Sequence, residues 1–151
     1  MLILNRIEQQ NMKKLFLAVF ALLALNACTN PKDEEKKTLN EIIKIHDKVM
    51  GNDEHLMQNK MKLDTLSPPG KFADKYTPQQ KAMMRALSLK LSGADATMEG
   101  WMNKFDPEQK GKSHEEIMAY LANQKKQVLY VDSMVTVAVQ ESDDFLNHLK
   151  K

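Results

Sequence analysis

Apolar residues in the middle of the chain recur at alternating steps of three and four positions. This alternation is the a and d pattern of a helix that buries one face against other helices. It predicts a helix over residues 78–105. Its stripe consists of Met84, Leu87, Leu91, Ala94, Met98, Trp101 and Phe105.

A second stripe with the same spacing predicts a helix over residues 114–149. Residues 128–139 are rich in β-branched side chains, but the helical period continues through them, so a strand is rejected. The stripe consists of Ile117, Leu121, Gln124, Val128, Val131, Val135, Ala138, Ser142, Phe145 and Leu149.

Both helices carry a start signal. Thr77-Pro78-Gln79-Gln80 and Ser113-His114-Glu115-Glu116 each place a hydroxyl three residues before Gln or Glu. This is the capping box, in which the two side chains satisfy backbone N–H groups of the first turn. Pro78 stands at the first helical position, where its missing N–H costs nothing.

A third helix is predicted over residues 36–66, with two asparagines among its stripe positions. Gly51-Asn52-Asp53 interrupts it, and a kink or short break is expected there because glycine weakens a helix interior. Two prolines, Pro68 and Pro69, end it. Its stripe consists of Ile42, Ile45, Val49, Asn52, Leu56, Asn59, Leu63 and Leu66.

Three long amphipathic helices joined by short loops favour antiparallel neighbours. We therefore predict an all-α fold, an elongated, coiled-coil-like antiparallel three-helix bundle over residues 38–151. The low content of glycine and proline, 5 residues each, agrees with helix. Gly93 and Gly100 lie beside the stripe, where they either let a neighbouring helix approach closely or merely loosen their own helix.

An apolar run of 11 residues, 15–25, follows Lys13 and Lys14 near the start of the chain. A basic segment followed by a run of this length is typical of a signal peptide, whereas a membrane-spanning helix needs about 20 apolar residues. We expect residues 1–27 to be a signal peptide. Translation is expected to start at Met12, with an extended basic segment from Met1 as the alternative.

The end of this run, Leu25-Asn26-Ala27-Cys28, resembles the lipobox of bacterial lipoproteins. The resemblance implies cleavage before Cys28, a diacylglyceryl thioether on its sulfur and an acyl chain such as palmitate on its amine. Cys28 is the only cysteine, so it has no partner for an internal disulfide. An ordinary secretory signal followed by an incidental cysteine is the alternative.

The residues after Cys28 are polar, and we expect a flexible tether over residues 28–37. Lys32-Asp33-Glu34-Glu35 has two interpretations: an acidic first turn of the first helix, or a resemblance to the surface-export signal of Bacteroidota lipoproteins. Thr29 stands where an enterobacterial inner-membrane retention signal has Asp, so an outer-membrane location is predicted.

Removal of the signal peptide changes the charge balance. Residues 1–27 contain Arg6, Lys13, Lys14 and Glu8, so the 22 basic and 20 acidic residues of the chain fall to 19 of each. A mature chain without basic excess does not indicate a nucleic-acid partner.

Candidate chemistry is sparse. His46-Asp47 is the most suggestive polar pair, but a histidine at the edge of an apolar face is usually structural. His114-Glu115-Glu116 is not a zinc-protease motif, because position 118 is methionine. We predict no catalytic residue, no metal site and no cofactor, and we interpret the many methionines as core filling.

An aromatic segment supplies the one candidate binding patch. Trp101, Met102 and Phe105 could present an apolar surface to a ligand or partner. Alternatively, Trp101 is an anchor of the core, and we favour this interpretation.

Three segments together resemble a family of small helical Bacteroidota lipoproteins, sometimes labelled "viral A-type inclusion protein". They are residues 42–50 (IIKIHDKVM), 94–105 (ADATMEGWMNKF) and 113–121 (SHEEIMAYL). The family carries no known activity, so the resemblance implies no catalytic residue. Members tend to have proline at the position of Gly51, which agrees with a bend there.

The sequence thus favours a lipoprotein of the cell envelope that acts as a structural or protein-interaction module rather than an enzyme. Its expected partners are the membrane, through the lipid, and a second copy or another envelope protein. Binding of a small hydrophobic ligand, in a pocket at a bend near Gly51 or Gly93, is the alternative.

Overall fold

The computed structural model of the chain describes residues 30–67 and 75–149. The predicted signal peptide, the lipobox with Cys28 and the Pro68-Pro69 helix stop lie outside the described residues. The described residues from 35 onwards, 35–67 and 75–149, form one compact unit. The described residues before it, 30–34, belong to the N-terminal unit and begin the first helix.

Every regular element in the described ranges is an α-helix. The helices are α1 (Pro31–Met50), α2 (Asp53–Leu66), α3 (Pro78–Met102) and α4 (His114–His148). The all-α prediction is confirmed. The predicted strand alternative for residues 128–139 is correctly rejected, since these residues lie inside α4.

Polar side-chain contacts between helices show their relative directions. Glu41 and Lys125 meet at 2.7 Å, Lys48 and Asp132 at 2.8 Å, and His55 and Asp143 at 2.9 Å. Residue numbers rise together in these pairs, so α1 and α2 run parallel to α4.

The helix between them runs the other way. The carboxylate of Asp64, near the end of α2, accepts a hydrogen bond from Ser88 early in α3. The ring of Phe105, just after α3, stacks on that of Tyr120 near the start of α4, with centroids 6.4 Å apart. The three packed helical segments therefore alternate in direction.

The break between α1 and α2 falls where the sequence predicts it. The N–H of Gly51 still donates to the carbonyl of Asp47, but the N–H of Asn52 donates three residues back, to Val49. The next regular bond runs from Leu56 to Asn52. Since His55 and Lys48 both pair with α4, the two segments line the same neighbour across the break.

The predicted stripes form the core. All residues of the three stripes are buried or half-buried. Val139 and Leu146 are also buried, at 8% exposure each, although the stripe pattern missed them. Both lie on the side of α4 that carries Asp132, whose carboxylate pairs with α1, so helix–helix contact extends beyond the stripe there.

Two helix boundaries differ from the prediction by more than one residue. α1 begins at Pro31 rather than near Lys36, so the segment predicted as a flexible tether is helical from Pro31 to Lys37. The side chain of Asn30 accepts a hydrogen bond from the N–H of Lys32 at 3.1 Å, which satisfies a free donor of the first turn. Asp33 and Glu34 lie in that turn, where acidic side chains are favourable.

The second difference is the end of α3, which stops at Met102 instead of residue 105. The N–H groups of Lys104 and Phe105 donate three residues back, to Trp101 and Met102, so the last turn tightens before the loop. Both predicted capping boxes, at Thr77 with Gln80 and at Ser113 with Glu116, are present.

Two glycines allow a matched test of the backbone. Gly93 lies within α3, and a Cβ added there meets nothing within 4 Å. We expect Gly93→Ala to raise the free energy of unfolding by about 0.5–1 kcal/mol, because alanine is the better helix former. Thermal unfolding followed by circular dichroism measures this.

The contrasting variant is Gly111→Ala. Gly111 has φ of 79°, in the left-handed region, so a side chain there should cost roughly 1–2 kcal/mol. If Gly93→Ala lowered the melting temperature, or Gly111→Ala left it unchanged, the backbone assignment at that glycine would be wrong.

Candidate functional site

A row of rings runs across one end of the compact unit. Trp101 stacks on Phe105 with centroids 4.9 Å apart, and Phe105 lies over Tyr120. On its other side Trp101 lies 5.9 Å from the ring of His46. The row therefore joins α1, the end of α3, the following loop and α4.

The three residues of the predicted aromatic patch are brought together but differ in exposure. Trp101 is 6% exposed, Phe105 is half-buried and Met102 is 37% exposed. Trp101 is thus a core residue, in agreement with the interpretation favoured above.

The histidines have structural surroundings. His46 is half-buried, with Nδ1 3.0 Å from the Asp47 carboxylate and Nε2 3.4 Å from the sulfur of Met102. His114, the first residue of α4, lies 2.8 Å from the carboxylate of Glu35. The sequence placed His114 beside the cap but gave no sign of this long-range pair. In the described ranges, no group of three His, Cys, Asp or Glu side chains is arranged to hold a metal ion.

Three carboxylates have altered acidity, each for a local reason. Hydrogen bonds from Lys60 and then Ser88 lower the pKa of Asp64 below its ordinary value of 3.8. The hydrogen bond from Lys125 lowers the pKa of Glu41, and the capping bonds at Ser113 lower that of Glu116. All three are shifted towards the charged form, so they act as fixed anions at neutral pH.

A hollow of about 520 Å³ lies between α3 and α4, next to the aromatic row. We call it the α3–α4 groove. Its lining consists of Ala96, Thr97, Gly100, Trp101 and Lys104 from α3 and the adjoining turn, and Lys126, Gln127, Tyr130 and Val131 from α4. Pockets for small molecules commonly have volumes of about 300–1,000 Å³.

The groove differs from the predicted ligand pocket. The expectation was a pocket at a bend near Gly51 or Gly93, whereas the hollow lies beside Gly100, within a regular part of α3. Cβ atoms added at Gly93 or Gly100 meet nothing within 4 Å, so no helix in the described part of the chain approaches either glycine closely. The missing side chain of Gly100 instead leaves room in the groove.

Three of the four lining residues on α4 were not predicted from the sequence. Lys126, Gln127 and Tyr130 lie off the apolar stripe and carry no motif. The available sequence signal for a groove was the pair of glycines, Gly93 and Gly100. Glycines on the flank of a packed helix leave a gap beside it, because they have no side chain.

An apolar strip lies on the outer face of the first two helices. Ile43, Met50 and Met57 are each 40% exposed and are spaced seven residues apart, and Met61 is 59% exposed one turn further on. We call these four residues the outer Met strip. The sequence assigned these methionines to the core, and this was wrong for Met50, Met57 and Met61, because they lie one or two positions off the buried stripe.

Other predicted sites can be placed only in part. Lys32, Asp33, Glu34 and Glu35 form the first turns of α1, as the first of their two interpretations predicts. Cys28 with Leu25, Asn26 and Ala27 lies outside the described residues. No helix in the described ranges is both long and apolar enough to cross a bilayer.

Comparison with protein-family models, with curated proteins and with solved structures finds no match. The resemblance to the small Bacteroidota lipoproteins therefore stays a prediction, carried by the three quoted segments.

The position of Trp101 gives a direct test of the site. Trp101→Ala removes a buried side chain that contacts two other rings, so we expect the free energy of unfolding to fall by about 3–5 kcal/mol. Chemical denaturation followed by circular dichroism measures the loss. Leu89→Ala is the control, because Leu89 is 74% exposed on the same helix. Equal stability of the two variants would contradict the assignment of Trp101 to the core.

Proposed function

We propose that this chain is a membrane-anchored lipoprotein of the bacterial cell envelope whose helical bundle acts as a structural or protein-interaction module without catalysis. The anchor rests on the sequence of the lipobox, Leu25-Asn26-Ala27-Cys28, and on the presence of a single cysteine. We place the protein at the outer membrane, on its periplasmic face or on the cell surface. The coiled-coil-like, elongated form of the bundle belongs to the same proposal.

The start of α1 limits the distance between the proposed lipid anchor and the first helix. Two residues, Thr29 and Asn30, separate Cys28 from the helix that begins at Pro31. A chain extends by at most about 3.6 Å per residue, so roughly 11 Å separate the Cα atoms of Cys28 and Pro31 at most. The proposed lipid would therefore hold the start of α1 close to the membrane, with a far shorter tether than residues 28–37 would provide.

The observation that carries the interaction role is the outer Met strip. Four apolar side chains remain accessible on α1 and α2, beside the stripe that is already buried. Methionine is flexible and polarisable, and it is frequent at surfaces that bind other proteins. The seven-residue spacing is that of a coiled-coil seam, so the partner that fits it best is the same strip on a second copy.

The anchor is tested by Cys28→Ser. Acylated Cys28 should carry the wild-type protein into the detergent phase of a detergent extraction, because two or more acyl chains anchor stably. The variant lacks the sulfur that accepts the diacylglyceryl group, so it should stay in the aqueous phase. Mass spectrometry of the wild type should find Cys28 as the acylated N-terminus. An unmodified thiol in native protein would refute the anchor.

Self-association is tested by Met50→Glu combined with Met57→Glu. The wild-type chain should form a concentration-dependent dimer in sedimentation experiments, and the double variant should stay monomeric, because burying the new charges between copies is costly. Leu89→Glu is the control, since Leu89 is exposed on α3 away from the strip. A wild type that is monomeric at every concentration would exclude a dimer built on this strip.

A second candidate function, binding of a small hydrophobic ligand, is favoured by one observation. The α3–α4 groove combines a volume in the range of ligand sites with aromatic and small apolar lining residues. This function and self-association use different faces, so both can hold in the same molecule.

A further inference from the structure

Two lysines of the α3–α4 groove indicate the charge of the ligand that would fit it. Lys104 and Lys126 both line it, and neither forms an ion pair with a carboxylate in the described part of the chain. By contrast, the nearby Lys90 and Lys125 are paired with Glu141 and Glu41. The groove therefore holds two cationic side chains that have no carboxylate partner among the described residues.

The two cations lie at the same level of the helix pair. α3 and α4 run antiparallel, with Lys90 opposite Glu141 and Phe105 opposite Tyr120. Residues that face each other in this antiparallel pair therefore have numbers with about the same sum. By this rule Lys104 faces Lys126. Both cations thus lie at the loop end of the groove.

Apart from Thr97 and Gln127, the rest of the groove is apolar or small. Ala96, Gly100 and Val131 lie away from the lysines, and Trp101 and Tyr130 provide aromatic surface. The indole Nε1 of Trp101 is buried without a hydrogen-bond partner among the described residues. A cationic end and an apolar length match a ligand with one acidic head and one apolar chain.

A second hollow lies further along the same helix pair. It has a volume of about 200 Å³ and is lined by Lys90, Ser133, Met134 and Val137. Between the two hollows stands Gly93, which has open space where a Cβ would be. The helix rise from Lys90 to Lys104 is about 21 Å. The acyl chains of one membrane leaflet extend roughly 15 Å, so a chain of that length is shorter than this stretch of the helix pair.

We propose that the α3–α4 groove binds a single-chain anionic amphiphile, with its acidic head between Lys104 and Lys126 and its apolar chain along the seam towards Val137. This inference rests on the second candidate function, small-ligand binding, and is independent of self-association through the outer Met strip. A linear chain fits the paired hollows, whereas a compact ring system would occupy only the larger one.

The test uses Trp101 as the reporter, since it is the only tryptophan of the chain. The protein is the full chain with Cys28→Ser, which carries no lipid of its own, and the probe is laurate below its micelle concentration. We expect a saturable change in tryptophan emission. Lauryl alcohol, which has the chain without the charge, should bind at least about tenfold more weakly, and acetate should produce no change.

Two variants locate the site. Lys104→Gln combined with Lys126→Gln removes the cations and should weaken laurate at least about tenfold, while Lys36→Gln combined with Lys44→Gln, on α1, should leave binding unchanged. Gly100→Leu fills the groove and should abolish the emission change. Its matched control is Ala82→Leu, on an exposed position of α3. Circular dichroism melts check that each variant folds.

The outcomes separate this inference from the function on which it rests. Equal affinity for laurate and lauryl alcohol, or no effect of the lysine variants, would overturn the anionic class while leaving small-ligand binding intact. If neither amphiphile changed the emission of Trp101, both the inference and the second candidate function would be wrong.

Discussion

Burial of one apolar stripe on each helix is the constraint on which the rest of the structure depends. The stripes repeat every 3.5 residues on average, so each keeps facing the other helices along its whole length. Leu56, Leu91 and Val131, one from each packed segment, are at most 2% exposed. Because a single seam fills most of the core, many residues one or two positions off it remain at the surface. Both the outer Met strip and the α3–α4 groove are consequences of that geometry.

Polar residues within the seam favour one register between the packed helices. Asn59 is 1% exposed, and its side-chain amide donates to the hydroxyl of Ser142 at 3.0 Å and to the carboxylate of Asp143 at 2.7 Å. A buried amide needs such partners, and sliding α2 by one turn along α4 would remove them. Apolar contacts alone tolerate such a shift, so this cluster favours one register between the two segments.

The sequence was most informative where one physical signal dominates. The stripes, both capping boxes and the break at Gly51 were predictable because period, caps and glycine act locally. The start of α1 at Pro31 was left open by the sequence, since a run of charged residues is typical both of a solvated tether and of an acidic first turn. The groove was missed because it depends on which flank of α3 faces α4. That choice is set by contacts such as Lys90 with Glu141, which lie 51 positions apart in the chain. The proposed anchor at Cys28 rests on the sequence alone, through the lipobox and the single cysteine.

The most direct measurement of the central claim compares two probes in one unfolding experiment. Trp101 lies within the seam, so its fluorescence reports packing between helices, while far-ultraviolet circular dichroism reports the helices themselves. If packing of the stripes is what maintains the helices, both signals should change in a single coincident transition with denaturant. Loss of the native tryptophan emission at low denaturant, with helicity retained to much higher concentration, would contradict the account.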